Sequence, residues 1–287
     1  MRFYKDFKEY RLLDTSSGER LEKWGDVTLI RPDPQIIWKT EKDSKWQTAD
    51  ARYLRSNKGG GHWEVYNKTR ESWSIELCDL KFNVKPTGFK HTGLFPEQAV
   101  NWQLFSELIK KENRPISVLN LFAYTGGATL ACAKAGASVC HVDASKGMVS
   151  WARDNARLSG LEDRPIRWIV DDCKKFVERE IRRGNRYDAV IMDPPSYGRG
   201  PNGEVWQLED QIYDLVKLTS QVLSDEPLFF VINSYTSGLT ASVMKYVLKR
   251  TVGEKYKGEV SADEIGIPVE STGDVLPCGN TAIWQKK

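Results

Sequence analysis

Apolar and polar positions change their rhythm near residue 115. Before it, short alternating stretches are broken by turn residues: Val27–Ile30 before Arg31-Pro32-Asp33-Pro34, Trp63–Tyr66 after Gly59-Gly60-Gly61, and Trp73–Leu77. These predict antiparallel strands. A loop rich in Gly, Thr and Pro, 86–96, leads into 97–111, where Val100, Leu104 and Leu108 recur at helical spacing. After Pro115 the pattern predicts strands at 117–122, 138–142, 167–170, 189–192 and 228–232. Helices are predicted at 127–135, 145–158, 173–183, 208–223 and 241–250. Gly136, Gly160 and Gly184 close the first three helices. Alternating strands and helices require a parallel, doubly wound α/β sheet, with its ligand at the carboxyl ends of the strands. The expected domains are a small β-rich part (1–85), a loop and linking helix (86–115) and the α/β part (116–287).

Composition narrows the class. The chain has 287 residues, 40% hydrophobic and 28% charged, enough for a full core. Its longest apolar runs, such as Leu228–Ile232, are far below the roughly 20 residues that span a bilayer. The start, Met1-Arg2-Phe3-Tyr4-Lys5-Asp6, lacks an apolar signal core, so a cytoplasmic protein is expected. Five cysteines without a Cys-x-x-Cys pair, and three histidines, argue against a disulfide framework and a zinc site. Net charge is +3 but unevenly spread. Residues 1–115 carry 21 basic and 17 acidic side chains, together with six of the ten tryptophans. Such a mixture suits phosphate contact with base stacking, and equally suits a small β core coated by charges.

Candidate chemistry lies at the predicted strand ends. Asn120-Leu121-Phe122-Ala123-Tyr124-Thr125-Gly126-Gly127 brings two glycines to a strand-to-helix turn, where backbone can approach a ligand. It is neither a dinucleotide fingerprint nor a nucleotide-phosphate loop. Asp143, at the second strand end, is placed to accept ribose hydroxyls or to cap the next helix. Asp171-Asp172-Cys173 follows the third strand, where an acidic side chain can take an adenine amino group or cap a helix. Asp193-Pro194-Pro195-Ser196-Tyr197 ends the fourth. Its two prolines stiffen the segment and remove two donors, leaving a flat apolar wall suited to a planar base.

Together with the segment Thr87-Gly88-Phe89-Lys90-His91-Thr92-Gly93-Leu94-Phe95-Pro96-Glu97-Gln98 and Val142-Asp143-Ala144-Ser145, these motifs resemble the class I S-adenosylmethionine-dependent methyltransferases. The nearer resemblance, over about residues 80–287, is to the bacterial 23S rRNA cytosine-5 and guanine-N7 methyltransferases. It implies a seven-stranded Rossmann-like core carrying a small N-terminal β-rich domain. It further implies S-adenosyl-L-methionine as cofactor, large-subunit ribosomal RNA as partner, and neither membrane nor metal; a homodimer is compatible with it. By resemblance, Phe95, Gln98 and Trp102 cover the cofactor, and Phe122, Tyr124, Gly126 and Gly127 pack on its methionine part. Asp143, Ala144 and Ser145 hold the ribose and adenosine side, and Asp172 and Cys173 frame adenine. Asp193, Pro194, Pro195 and Tyr197 face the target, with Asn233 and Tyr235 on the base edge.

One departure matters. Cytosine-5 members carry a cysteine nucleophile after the fifth strand, because carbon-5 of a pyrimidine must first be activated by a thiolate. Here the loop reads Ile232-Asn233-Ser234-Tyr235-Thr236-Ser237-Gly238. Direct transfer to a nitrogen or oxygen of an RNA base is therefore expected. Transfer to DNA, protein or a small molecule, a non-catalytic cofactor scaffold and a nicotinamide dehydrogenase remain as alternatives. The last of these lacks its Gly-x-Gly-x-x-Gly turn.

Overall fold

The computed structural model describes residues 1–56, 60–67, 70–199 and 205–287, and Gly59 of the glycine run lies outside them. The chain divides into two compact units, each built from separate stretches.

One unit comprises Phe3–Val100 and Gly266–Cys278. After the short β1 (Arg2–Phe3), strands β2 (Tyr10–Ser16), β3 (Glu19–Trp24), β4 (Val27–Pro32), β5 (Ala51–Arg55) and β6 (Gly61–Val65) form one sheet in sequential order. Its pairs are antiparallel except β4 with β5. A separate hairpin joins β7 (Trp73–Leu77) to β8 (Leu80–Val84). Alternation puts Tyr10, Trp24 and Leu29 on one buried face, where the Tyr10 and Trp24 rings meet edge-on at 4.7 Å, and Leu21 on the other with Ile30 and Trp46.

A charged cluster is also buried in this unit. Glu22 accepts from Arg31 at 2.5 and 2.8 Å and from the Tyr10 hydroxyl at 2.7 Å, and Arg20 lies 3.4 Å away. Burial opposes its ionisation, but the two guanidinium groups outweigh that and hold the carboxyl down at about 2.

The other unit comprises residues 1–2, Asn101–Ile265 and Gly279–Lys287. It is built from α1 (Ala99–Lys111), β9 (Ser117–Leu121), α2 (Gly127–Lys134), β10 (Ser138–Asp143), α3 (Lys146–Leu158), β11 (Ile166–Val170), α4 (Cys173–Arg183) and β12 (Ala189–Met192). There follow β13 (Tyr197–Arg199), β14 (Val205–Gln207), α5 (Leu208–Thr219), β15 (Phe229–Ser234), α6 (Ala241–Lys249), α7 (Val252–Lys255), β16 (Glu259–Pro268) and β17 (Val275–Gln285). The main sheet runs β1-β16-β17-β15-β12-β9-β10-β11, with β11, β10, β9, β12 and β15 parallel and β17 antiparallel to β15. This is the expected seven-stranded doubly wound sheet with the two-residue β1 added at its edge.

The central strands are continuous apolar runs because both their faces are covered. Leu121, Val142, Met192 and Ile232 bury one face against α4 and α5. On the other face Phe105 of α1 stacks on Phe229 at 5.2 Å. Ser145, Asp172 and Thr240 cap α3, α4 and α6 with their side-chain oxygens. The strand order reverses between β9 and β12, so the crevice for a ligand opens at their carboxyl ends.

Candidate functional site

The turn after β9 carries unusual backbone. Phe122 and Tyr124 adopt φ of 56° and 51°, and Gly126 follows at 91°. A Cβ disfavours this left-handed region, and such residues cost on the order of 1–3 kcal/mol each unless the surroundings enforce them. Here the surroundings do so. Phe122 N donates to Cys173 Sγ at 3.3 Å, Ala123 N to Val142 O at 3.1 Å, and Tyr124 N to Asp143 Oδ2 at 2.9 Å. Asn155 of α3 donates to Thr125 O at 2.9 Å. Gly126 and Gly127 answer a need for close approach. A Cβ on Gly126 would lie 3.0 Å from that of Ala152, and one on Gly127 would lie 2.2 Å from Cζ2 of Trp102. Trp102 itself is buried in the first turns of α1.

Asp143 ties this turn to the next. Its Oδ1 accepts from Ser145 N at 2.8 Å while Oδ2 takes Tyr124 N. Each carboxylate oxygen keeps a further lone pair, the acceptor set that a ribose diol requires. Ala144 and Ser145 are exposed beside it. Asp172 is exposed and caps α4 through Lys175 N at 2.8 Å. Cys173 is buried, and burial pushes its thiol well above the ordinary range. Its sulfur serves the loop as an acceptor for Phe122 N.

The third component follows β12. Asp193 N reaches Leu121 O at 3.4 Å, extending the parallel ladder by one residue. Pro194 is buried and Pro195 exposed. Trp206 Nε1 donates to Pro195 O at 2.6 Å, and its ring lies 6.3 Å from that of Phe122. Tyr197 opens the β13–β14 hairpin and is 54% exposed. In β15, Asn233 is buried, while Tyr235 beyond it is half-buried. Thr236 donates to Glu209 of α5 and accepts from Gly238 N at 3.2 Å, which pins that loop.

The registers Val142↔Leu121, Leu121↔Met192 and Met192↔Ile232 align the last residues of four strands. Asp143, Phe122, Asp193 and Asn233 therefore form the next row, one strand apart each, or roughly 4.8 Å. Phe95 and Gln98 belong to the other compact unit, on the turn before α1. Sequence reasoning missed Trp206, Asn101 and Thr281. Trp206 carried a faint signal, an aromatic residue between the proline pair and an amphipathic helix. The other two carried none.

The donor set fits S-adenosylmethionine: two carboxylate acceptors on Asp143 at the second strand end, two adjacent glycines in the turn beside it, and aromatic walls. Among the described residues no cluster of His, Cys, Asp or Glu could hold a metal ion, and no helix is long and apolar enough to cross a membrane.

Comparison with known proteins agrees. The chain is 38% identical to the SAM-dependent methyltransferase from Agrobacterium tumefaciens, with a TM-score of 0.91 over 98% of this chain and 91% of that one. It shares the fold of a methyltransferase crystallised with SAH, at 20% identity and a TM-score of 0.74 over 96% of this chain and 75% of that one. The ribosomal RNA large subunit methyltransferase K/L of Shewanella frigidimarina is 30% identical over 169 residues, 57% of this chain and 23% of that protein. The chain thus spans about a quarter of the length of such curated relatives. A family model covers residues 42–240. On that match, the chain belongs to the S-adenosylmethionine-dependent methyltransferases.

Proposed function

We propose that the enzyme methylates a base of ribosomal RNA by direct transfer, with no covalent enzyme–base adduct. The observation that carries this reading is the β15 loop, Asn233 to Gly238, which holds no cysteine beside the Asp193-Pro194-Pro195 wall. Cys132, Cys140, Cys173 and Cys278 are buried, and burial raises all four thiols, Cys140 to about 11. None is poised to be a thiolate. The names of the curated relatives, which match a quarter of their length, support ribosomal RNA as the substrate class. A cytoplasmic location goes with that substrate.

When bound, S-adenosylmethionine would supply a methyl group activated by a positive sulfur: the acceptor lone pair bonds the methyl carbon as the carbon–sulfur bond breaks, and the neutral thioether S-adenosylhomocysteine leaves with that electron pair. In this reading Asp143 holds the ribose, flanked by Ala144 and Ser145, and Asp172 and Cys173 border the adenine. Phe122, Tyr124, Gly126 and Gly127 shape the methionine end together with Trp102 of the same unit. Pro194, Pro195, Tyr197 and Trp206 grip the flat acceptor, Asp193 orients its reacting edge, and Asn233 and Tyr235 contact that edge. Such alignment is worth several kcal/mol, with ~7–11 as the upper scale. It must also offset roughly a few kcal/mol for taking a base out of its stack.

Two measurements test this. Asp193→Ala is expected to abolish tritium transfer to undermethylated ribosomal RNA while cofactor affinity stays near that of the parent; persistent turnover would reduce Asp193 to a structural role. RNA containing 5-fluoropyrimidines is expected to leave no denaturation-resistant enzyme complex, and a trapped adduct would refute direct transfer.

A further inference from the structure

Four polar side chains behind β15 form a one-way chain of hydrogen bonds. Arg2 Nη1 donates to Asn101 Oδ1 at 3.0 Å. Asn101 Nδ2 donates to Thr281 Oγ1 at 3.0 Å and reaches Asn233 Oδ1 at 3.3 Å. The Thr281 hydroxyl donates to Asn233 Oδ1 at 2.7 Å. Asn101, Thr281 and Asn233 are between 0% and 3% exposed. Thr281 sits directly across from Asn233 in the antiparallel β15–β17 pair, so the contact is built into the sheet.

The direction of this chain is forced. A guanidinium has five donors and no acceptor. Arg2 therefore fixes Asn101 with its oxygen outward to Arg2 and its NH2 inward. That NH2 occupies a Thr281 lone pair, so the hydroxyl proton turns to Asn233. Asn233 Oδ1 then holds two donors, and its carboxamide has one orientation only. Nδ2 is the end left over. It is not sealed from solvent, and no residue among those described takes its protons. Asn233 stands in the row of strand ends next to Asp193.

We infer that Arg2, Asn101 and Thr281 are positioning residues that lock the Asn233 carboxamide with its N–H outward, so that the acceptor pocket selects a base edge bearing a carbonyl oxygen. This rests on the proposed function and refines it. A keto base, guanine or uracil, presents an oxygen that Nδ2 can bond. A base with an exocyclic amino group there, adenine or cytosine, meets donor against donor, and the buried amide cannot turn to accept it without orphaning Thr281 and Asn101.

The test uses the whole enzyme, tritiated S-adenosylmethionine and ribosomal RNA from cells lacking the enzyme, followed by digestion and identification of the labelled nucleoside. The parent is expected to label guanosine or uridine. Thr281→Val removes the hydroxyl that fixes the amide, so discrimination against amino bases is expected to fall by about tenfold, what one neutral hydrogen bond can carry. Cofactor affinity should stay unchanged, and Thr281→Ser should restore the parent pattern. Arg2→Met, at the half-buried head of the chain, should relax selection in the same way if the valine variant does not fold. Label on adenosine or cytidine in the parent overturns the inference alone. So does unchanged selectivity in a folded Thr281→Val, or in Arg2→Met where the valine variant does not fold. Absence of any label in RNA overturns the proposed function, and the inference falls with it.

Discussion

Gly127→Ala probes how tightly the cofactor turn is built. The added Cβ would lie 2.2 Å from Trp102 Cζ2 and 2.8 Å from Cε2 and Cη2. Carbon atoms prefer separations of about 3.5–4.0 Å, so a shift of at least roughly 1 Å is required. Trp102 has little freedom to make it. It is 4% exposed, and its neighbour Asn101 is tied to Asn233 and Thr281. Overpacking of this kind costs about 1–3 kcal/mol, against a helix-propensity gain of at most ~1 kcal/mol for replacing glycine. A net loss of about 1–2 kcal/mol is expected, together with weaker cofactor binding as the turn is pushed out of place. Urea denaturation measures the first and titration calorimetry the second. Trp102→Leu in the same chain makes room for the methyl, so the double variant should be more stable than the two single losses predict. Parental stability in Gly127→Ala, or strict additivity of the pair, would refute the reasoning.

Asp143→Ala deprives Tyr124 N and Ser145 N of a charged acceptor and is expected to weaken cofactor binding by about 10- to 100-fold; unchanged calorimetric affinity would remove Asp143 from the site. Glu22→Gln leaves Arg31 buried without its counter-charge and Arg20 with only Asp33, 3.8 Å away, and a loss of about 3–5 kcal/mol in urea denaturation is expected. Acid should destabilise the fold in two stages. His141 is fully buried, and burial, with a lesser push from Arg153, lowers it to about 3; His91 is likewise lowered to about 3 by burial and by Arg31 and other nearby cations. The unfolded chain protonates them first. Their contribution is therefore complete above pH ~6.5 and lost as pH falls towards 3, at up to ~1.4 kcal/mol per pH unit for each. Glu22, held at about 2, adds its own loss only below pH ~4.5. His141→Gln should remove about half the slope between pH 6.5 and 4.5 in denaturation series.

The parallel core was legible because each central strand is an apolar run bounded by a glycine cap or an acidic strand end, and those ends are where ligand chemistry lies. The last two strands were not. β16 and β17 mix Asp, Glu, Gly, Pro and Asn with their apolar residues, so neither alternation nor a buried run marks them. Their form follows from pairing in the sheet, which overrides weak local preference. The candidate site divides the same way. Asp143, Gly126, Gly127 and the proline pair lie in contiguous motifs. Asn101, Thr281 and Trp206 meet their partners only through tertiary contacts, Asn101 lying 180 residues before Thr281. Cys173 was legible as the residue after the acidic end of the third strand, but its bond to Phe122 N depends on where α4 begins relative to β9.

The stretch Gly266–Cys278 has a consequence for how the molecule is made. It completes a unit whose other part ends at Val100. Val269 bridges Leu12, and Glu270 clasps Arg11 across 259 positions. A nascent chain emerging from the ribosome thus carries the β2–β6 sheet unfinished until the stretch Gly266–Cys278 has been synthesised. Closing so wide a loop adds only slowly to the entropic cost, but it fixes an order of events. The other unit waits as well, because β17 must still pair with β15 to complete the main sheet.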